Sequence, residues 1–458
     1  MLSASGAYDA GTLNAIWCFA ERADRAPLFR LSLANTVTEF EAREAPMKIA
    51  LVAQSATPLH PRAGSGPDHD DIGLSELTRK LAGQGHQVTV YTQKNLADLP
   101  DQAELHAGVR VEHINAGPVK ETAATEPGEL DDADLLERVP AFSGPLRSRW
   151  QSERPDVVHA LRWTSGLAAL AAARDLGIPV VQEFSSLGIT ERRVTGFRDH
   201  AGAVKADGAS AARIRLEPAI GRSATAVVAT NSAEVSDLAS LGVRRSSIRV
   251  VPWGVDTDLF TPEGPAAKRN GRPRLLAATD LTQRKPLETL LRALTRVPGP
   301  ELLVVGGPAE AELPDDDGYV KLAKFAATLG ITDRVIFTGE VEYAAMPPLL
   351  RSADLVVSTC QYEPAGTTSL QAMACGTPVI APPVGGHVDA VVDGTTGIII
   401  PPDRPALLAQ RIRQLLAHPM LIEAYGVAAV DRVRSRYSWD RIAGETLAVY
   451  DRVTAQAA

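Results

Sequence analysis

The sequence predicts an α/β protein made of two doubly wound halves with a ligand crevice between them. Three observations carry this expectation: short, continuous, β-branched apolar runs alternate with amphipathic segments, a Pro- and Gly-rich stretch interrupts the alternation near residue 260, and the same rhythm then restarts. At 458 residues the chain has room for two or three domains. Its 45% hydrophobic and 22% charged residues are ordinary globular usage, so a sizeable core is expected. The formal net charge of −8 leaves no cationic face for general nucleic-acid binding, and nucleic acid is not expected as a partner.

Residues 1–46 hold an isolated apolar patch at 15–20 without sustained periodicity, and are read as an N-terminal extension with no assigned role. The first domain is placed at 47–252, with strands at 48–54, 87–92, 109–115, 156–161, 179–184, 224–230 and 248–252 and helices between most of them. Within it, 116–137 is rich in Gly, Pro, Ala, Glu and Asp and reads as a solvated loop leading into a helix with an acidic first turn. A linker is placed at 253–270, because Pro252-Trp-Gly-Val-Asp-Thr-Asp-Leu-Phe-Thr-Pro-Glu-Gly-Pro265 breaks any helix or strand. The second domain, 271–436, carries strands at 274–279, 301–306, 334–339, 354–359, 378–381 and 397–400. Helices are expected near 286–296, 319–329, 345–352, 367–375 and 404–417. A last helix near 438–453 lies in the segment 437–458.

Cys18, Cys360 and Cys375 give neither an even set nor a C-x-x-C pair, which excludes a disulfide scaffold and a structural zinc site and fits a reducing cytoplasm. No run approaches the roughly 18 apolar residues of a membrane span, and the start lacks a secretory pattern. Peripheral membrane contact stays open.

The most informative stretch is Glu363-Pro-Ala-Gly-Thr-Thr-Ser-Leu-Gln-Ala-Met-Ala-Cys-Gly376, which runs from a strand end into a helix. Gly366, Thr367 and Thr368 fall in the first turn, where backbone N–H groups lack intrahelical partners and favour an anion such as phosphate. Arg284 and Lys285 occupy the equivalent loop after strand 274–279 and make a candidate diphosphate clamp. A carboxylate beside a diphosphate needs neutral donors as partners, so Glu363 points to sugar hydroxyls. Gln371, one helical turn beyond Thr367, has an amide to offer another hydroxyl. Taken singly, each feature is equally a ligand-free turn, a solvated cation or an internally bonded helix residue.

These motifs, with Val384-Gly-Gly386, Val392-Asp-Gly-x-x-Gly397, Val250-Val-Pro-Trp-Gly-Val-Asp-Thr-Asp-Leu-Phe260 and Ser438-Trp439, resemble the retaining nucleotide-sugar glycosyltransferases of family 4 across 47–456. The resemblance implies a GT-B architecture: two Rossmann-like domains, the first binding the acceptor and the second the sugar nucleotide, with the last helix crossing back to the first. It implies transfer of a hexosyl-type sugar, with retention, from a nucleotide diphosphate donor to a small-molecule acceptor hydroxyl. No metal and no cofactor are expected in that scheme. Lys285 matches the family's diphosphate lysine, and Glu363 the first carboxylate of its E-x7-E motif.

The sequence also departs from the pattern. Gln371 stands at the second carboxylate. Asp280 stands where the family has a diphosphate-binding arginine, and a unit pair at about 5 Å in an effective dielectric near 20 is worth roughly 3 kcal/mol, so a reversed sign matters. Asp68 and His69 replace a Gly-Gly turn that would let the backbone approach the diphosphate, and Ser185 aligns with an acceptor-side histidine. His69, Asp70 and Asp71 lack a further ligand cluster, so no metal is assigned; an N-cap role is read for Asp70 or Asp71. His159 is placed on the acceptor side, with a hydrogen-bonded core histidine as the alternative. Two other functions stay open: a catalytically weakened homologue serving as a binding or auxiliary subunit, and another sugar-nucleotide enzyme such as an epimerase.

Overall fold

A computed structural model describes residues 46–56, 69–96, 99–117, 131–195, 208–282 and 284–457. Expectations for 1–45, Asp68 and the loop 118–130 lie outside the described residues. In chain order the first half contains β1 (Lys48–Val52), α1 (His69–Gly83), β2 (Gln87–Gln93), β3 (Gln102–His106), β4 (Val109–Ile114), α2 (Asp132–Ser152), β5 (Val157–Leu161), α3 (Trp163–Ala173), β6 (Val180–Glu183), α4 (Gly188–Thr195), α5 (Gly208–Ser223), β7 (Ala226–Ala229), α6 (Ser232–Ser240) and β8 (Ile248–Val250). The strands form one sheet in the order β3-β4-β2-β1-β5-β6-β7-β8. Every pairing is parallel except β3 with β4.

The antiparallel strand β3 has no counterpart in the sequence reading. Its run Gln102-Ala-Glu-Leu-His106 carries two apolar residues and sits at the sheet edge, so it lacks the continuous apolar signal of strands buried on both faces.

The second half contains β9 (Arg274–Ala278), α7 (Arg284–Leu294), β10 (Glu301–Val305), α8 (Asp317–Thr328), β11 (Val335–Gly339), α9 (Met346–Ser352), β12 (Leu355–Val357), α10 (Thr367–Ala374), β13 (Val379–Ala381), α11 (His387–Ala390), β14 (Gly397–Ile399), α12 (Pro405–Leu416) and α13 (Pro419–Arg436). Its sheet is wholly parallel, in the order β11-β10-β9-β12-β13-β14. The order reverses between β9 and β12, and doubly wound sheets open a ligand crevice outside the carboxyl ends of such a pair. Helix α13 was not expected from the sequence. Gly426 and Ala429 stand on its inner face beside Tyr425, Val430 and Val433, and a Cβ on Gly426 would come within 2.2 Å of the Gly376 carbonyl oxygen. Met420 and Val427 are meanwhile exposed, so apolar spacing alone does not reveal the helix.

The final helix, α14 (Trp439–Ala457), belongs by sequence to the second half but is buried in the first. Ile442, Leu447, Tyr450 and Val453 share one apolar cluster with Ile49, Leu51, Leu74 and Val88. The Val255 N–H donates to the Tyr437 carbonyl at 2.8 Å just before the helix begins. Trp439 then lies so close to Gly254 that a Cβ there would meet its ring at 2.5 Å, which explains glycine in the Pro-Trp-Gly-Val stretch.

His159 is corrected by the same helix. On the central strand β5, residues 157 and 159 share a face, and Val157 belongs to the cluster that α14 completes. His159 is 1% exposed, its Nδ1 lies 2.8 Å from the Tyr450 hydroxyl, and the two rings pack edge to face. It is a core residue and does not line the acceptor side. Tyr450→Phe is therefore expected to strand a buried imidazole nitrogen and to cost about 1–3 kcal/mol in urea unfolding; an unchanged midpoint would show that the hydrogen bond contributes nothing.

Candidate active site

A cavity of about 200 Å³ opens where the strand order of the second sheet reverses. Thr279 and Asp280 at the end of β9, Ser358 and Cys360 beyond β12, and Glu363, Thr368 and His387 line it. A larger hollow of about 460 Å³ lies at the amino ends of β1, β2 and β4. There Arg110 is paired with Glu153 at 3.0 Å, and the amino edge is not where open α/β sheets build ligand sites. The smaller cavity is the candidate site.

Two loops shape it. Gly366 adopts φ 71°, turning the chain from the Glu363 loop into α10. The Gly385-Gly386 turn packs directly against that loop: a Cβ on Gly385 would sit 1.8 Å from the Glu363 carbonyl oxygen, and one on Gly386 would sit 2.3 Å from that of Ala365. Gly386 N–H also donates to the Glu363 carbonyl at 3.0 Å. The paired glycines are thus a condition of close backbone contact between the two loops.

The anion preference of the α10 N-terminus is met differently from the expectation. Glu363 Oε1 accepts from the Gly366 N–H at 3.1 Å, and the Thr367 N–H also bonds the carboxylate. The protein's own carboxylate, three residues upstream, takes the amides expected to hold phosphate, because a helix N-terminus attracts whichever anion is tethered nearest. Burial raises the pKa of Glu363, and these amide bonds oppose the rise. Thr368 remains on the cavity wall. Gln371 is 2% exposed on the inner face of α10 and is not among the lining residues, so the structure does not bring it to the cavity with Thr368.

Asp280 lines the cavity, but both of its carboxylate oxygens are engaged locally, accepting from the Thr282 N–H at 2.8 Å and from its hydroxyl at 2.6 Å. It caps the turn that leads to α7. Lys285 is exposed in the first turn of α7, two residues before Leu287, which lines the cavity. It makes no ion pair among the described residues. Arg284 opens the same helix, and its side chain lies outside the described residues, as do the side chains of His69 and Asp70 at the start of α1. Since α1 is described from His69, Asp70 and Asp71 stand inside its first turn rather than at an N-cap.

On the first half, Ser185 follows β6 with φ 57°, a left-handed conformation uncommon for a residue with a Cβ. The next residue, Ser186, belongs to a network that the sequence reading missed. Arg213 donates to the Ser186 carbonyl and hydroxyl, both at 2.8 Å, to Glu217 at 2.7 Å and to Glu191 at 3.1 Å. Burial opposes the Arg213 charge, but Glu191 and Glu217 outweigh it and hold its pKa above the ordinary value. Tyr362, from the second half, faces Ser186; burial pushes its pKa up, and Ser186 opposes the rise. The visible signal was Arg213 and Glu217 at i,i+4 on one helix; its connection to residues 186 and 362 is long-range.

Two further groups line the cavity without having been expected. Burial lowers the pKa of His387 to about 4, keeping the imidazole neutral. Burial and the charge of Glu363 push the Cys360 thiol up to about 12, keeping it protonated. Among the described residues no three His, Cys, Asp or Glu side chains converge as metal ligands would, and no helix is long and apolar enough to cross a membrane.

Two doubly wound halves, a cavity at the switch point of the second and a last helix returning to the first define the GT-B class of glycosyltransferases. Comparison with known proteins makes the assignment specific. The chain belongs to the family described as glycosyl transferases group 1, which matches residues 263–430, while the glycosyl transferase 4-like domain matches 73–254. It is 30% identical over 425 residues to D-inositol 3-phosphate glycosyltransferase 2 of Catenulispora acidiphila, covering 89% of this chain and 95% of that one. It is 32% identical over 406 residues to D-inositol 3-phosphate glycosyltransferase of Frankia alni, covering 85% and 95%. Among solved structures, sucrose-phosphate synthase from Thermosynechococcus elongatus superposes with a TM-score of 0.75 at 26% identity, covering 89% of this chain and 99% of that one. Anabaena HepE in complex with UDP and glucose shares the fold, with a TM-score of 0.62 at 18% identity and coverage of 90% and 99%.

The His387 environment yields a pH prediction. Its pKa is depressed from 6.5 to about 4 in the folded state, so the unfolded chain binds the extra proton between those values. Its contribution to stability is complete above about 6.5 and is lost as the pH falls toward 4. Between pH 7 and 5 the wild type should lose about 2 kcal/mol more in urea unfolding than His387→Leu. Parallel pH dependences for the two proteins would refute a buried neutral imidazole.

Proposed function

We propose that this protein transfers a sugar from a nucleoside diphosphate sugar to a hydroxyl of a small acceptor, with retention at the anomeric carbon and without a metal or cofactor. The observation that carries the reading is the cavity at the β9–β12 reversal, which combines a half-buried carboxylate, Glu363, with hydroxyls from Ser358 and Thr368 and lies beside the basic start of α7. The carboxylate bonds two backbone N–H groups and keeps acceptor capacity for a sugar hydroxyl. Lys285, next in sequence to Arg284, supplies positive charge where the diphosphate would leave, and stabilising that developing charge is the principal catalytic device in such a transfer. In a same-face displacement the departing diphosphate takes the acceptor proton, so no protein base is required. The acceptor would enter from the side of Ser185. Relatives named for transfer to D-inositol 3-phosphate make a cyclic polyol a reasonable first acceptor class to test. The free Cys360 and Cys375 agree with a reducing, cytoplasmic setting.

Calorimetric titration with UDP, GDP and ADP tests the reading, with saturable binding of at least one expected; no binding by any of them at millimolar concentration would overturn it. Lys285→Ala should reduce transfer about 100- to 1,000-fold while leaving the unfolding midpoint of this exposed position unchanged. A full-rate Lys285→Ala enzyme would remove Lys285 from the mechanism.

Asp280 favours one second reading, a weakened homologue that binds nucleotide in an auxiliary role, because it puts a negative charge on the cavity wall. Nucleotide binding with neither transfer nor donor hydrolysis across a donor panel would select that reading.

A further inference from the structure

The loop that presents Glu363 is held from the opposite half of the molecule. Asn231 Nδ2 donates to the Pro364 carbonyl oxygen at 3.0 Å. The adjacent Ser232 donates both its N–H and its hydroxyl to the Asp389 carboxylate, each at 2.6 Å. Asp389 lies in α11, which follows the Gly385-Gly386 turn and also carries His387. Two consecutive residues at the start of α6 therefore grip both loops that form the cavity.

We propose that Asn231 and Ser232 are positioning residues for sugar-nucleotide binding: docking of the α6 N-terminus onto Pro364 and Asp389 sets the two cavity loops in their binding geometry, coupling donor affinity to closure of the two halves. The local chemistry supports a purpose beyond capping. Asn231 already caps α6 through Oδ1, which accepts from the Glu234 N–H at 3.0 Å, and Glu234 reaches back to the Thr230 N–H at 2.8 Å. This reciprocal pair satisfies the helix start within the first half. The Nδ2 donor of Asn231 and the Asp389 carboxylate at Ser232 add contacts that the helix does not need for its own termination. They fall on a loop that cannot shift independently of its neighbour, because the paired glycines bring the two backbones into direct contact.

The inference rests on the transferase reading for its ligand but not for its geometry, and the test separates the two. Asn231→Asp keeps the capping oxygen and removes the donor to Pro364; Asp389→Asn weakens the second attachment. For each full-length variant and the wild type, small-angle scattering and calorimetric titration with UDP, GDP and ADP are measured, with thermal unfolding as the folding control. The expected result is a larger radius of gyration than wild type and about tenfold weaker nucleotide binding for each variant. Unfolding midpoints without nucleotide should stay close to that of the wild type. Unchanged scattering in both variants overturns the docking contact, even if the wild type binds no nucleotide and the transferase reading fails. Expanded particles that bind nucleotide as tightly as wild type overturn the positioning role.

Discussion

The architecture depends on the burial of α14 in the core of the other half. Tyr450, Leu447 and Ile442 complete an apolar cluster with β1, β2 and α1, so the first sheet lacks part of its cover until the last helix arrives. Burying a large apolar side chain contributes about 1.5–3 kcal/mol, and several such residues on one helix outweigh the cost of restraining a connection. That packing leaves the two halves joined at two points: the Val250–Phe260 segment and the return at Tyr437–Trp439, which meet through the Val255–Tyr437 hydrogen bond and the Trp253–Trp439 ring contact. A hinge made from adjacent strands of chain permits rotation about itself and resists separation. The relative position of the halves then rests on the opposite rim, where Asn231 and Ser232 touch the second half.

Within the cavity, negative charge is managed by hydrogen bonding rather than by pairing with cations. Glu363 lies over amides at the start of α10, and Asp280 is held by Thr282. Neither forms an ion pair among the described residues. Both offer carboxyl oxygens with directional preferences, which suits hydroxyl-rich ligands. The exposed Lys285 at the start of α7 carries positive charge two residues before the cavity-lining Leu287. The neutral His387 and the protonated Cys360 add polarity without adding charge. A sugar's contacts are mostly hydroxyls, and a wall of neutral donors and hydrogen-bonded carboxylates is chemically matched to it.

How far the sequence reveals these features follows from the range of the forces involved. Strands buried on both faces write continuous apolar runs, which is why the parallel strands of both sheets were readable and the edge strand β3 was not. Gly366, Gly385 and Gly386 were visible as motif residues, and the close approach they permit gives them a physical reason. Glu363, Thr368 and Asp280 line one cavity; the first two stand in one strand-to-helix run, whereas Asp280 was singled out only by comparison with the family pattern. His159 was ambiguous because a strand's alternation says that a residue points inward or outward, not which later helix covers it; Tyr450 lies 291 residues away. The capture of the Gly366 and Thr367 amides by Glu363 is a local event, but spacing alone does not decide whether a tethered carboxylate or a ligand phosphate wins that site.

Arg213 shows how a buried cation can serve a site without contacting the ligand. Its guanidinium carries five N–H donors, and four hydrogen bonds already engage it: one each to Glu217 and Glu191 and two to Ser186. With two acids supplying the counter-charge, it has little attraction left for an anionic guest. Its effect is geometric, fixing Ser186 directly after the left-handed Ser185 on the side that faces Tyr362. The first half thus spends a buried ion network on holding a neutral hydroxyl in place. The loops around Glu363 are held instead by Asn231 and Ser232, so the first half separates the two tasks: an ion network fixes its own Ser186 turn, and a helix start grips the cavity loops.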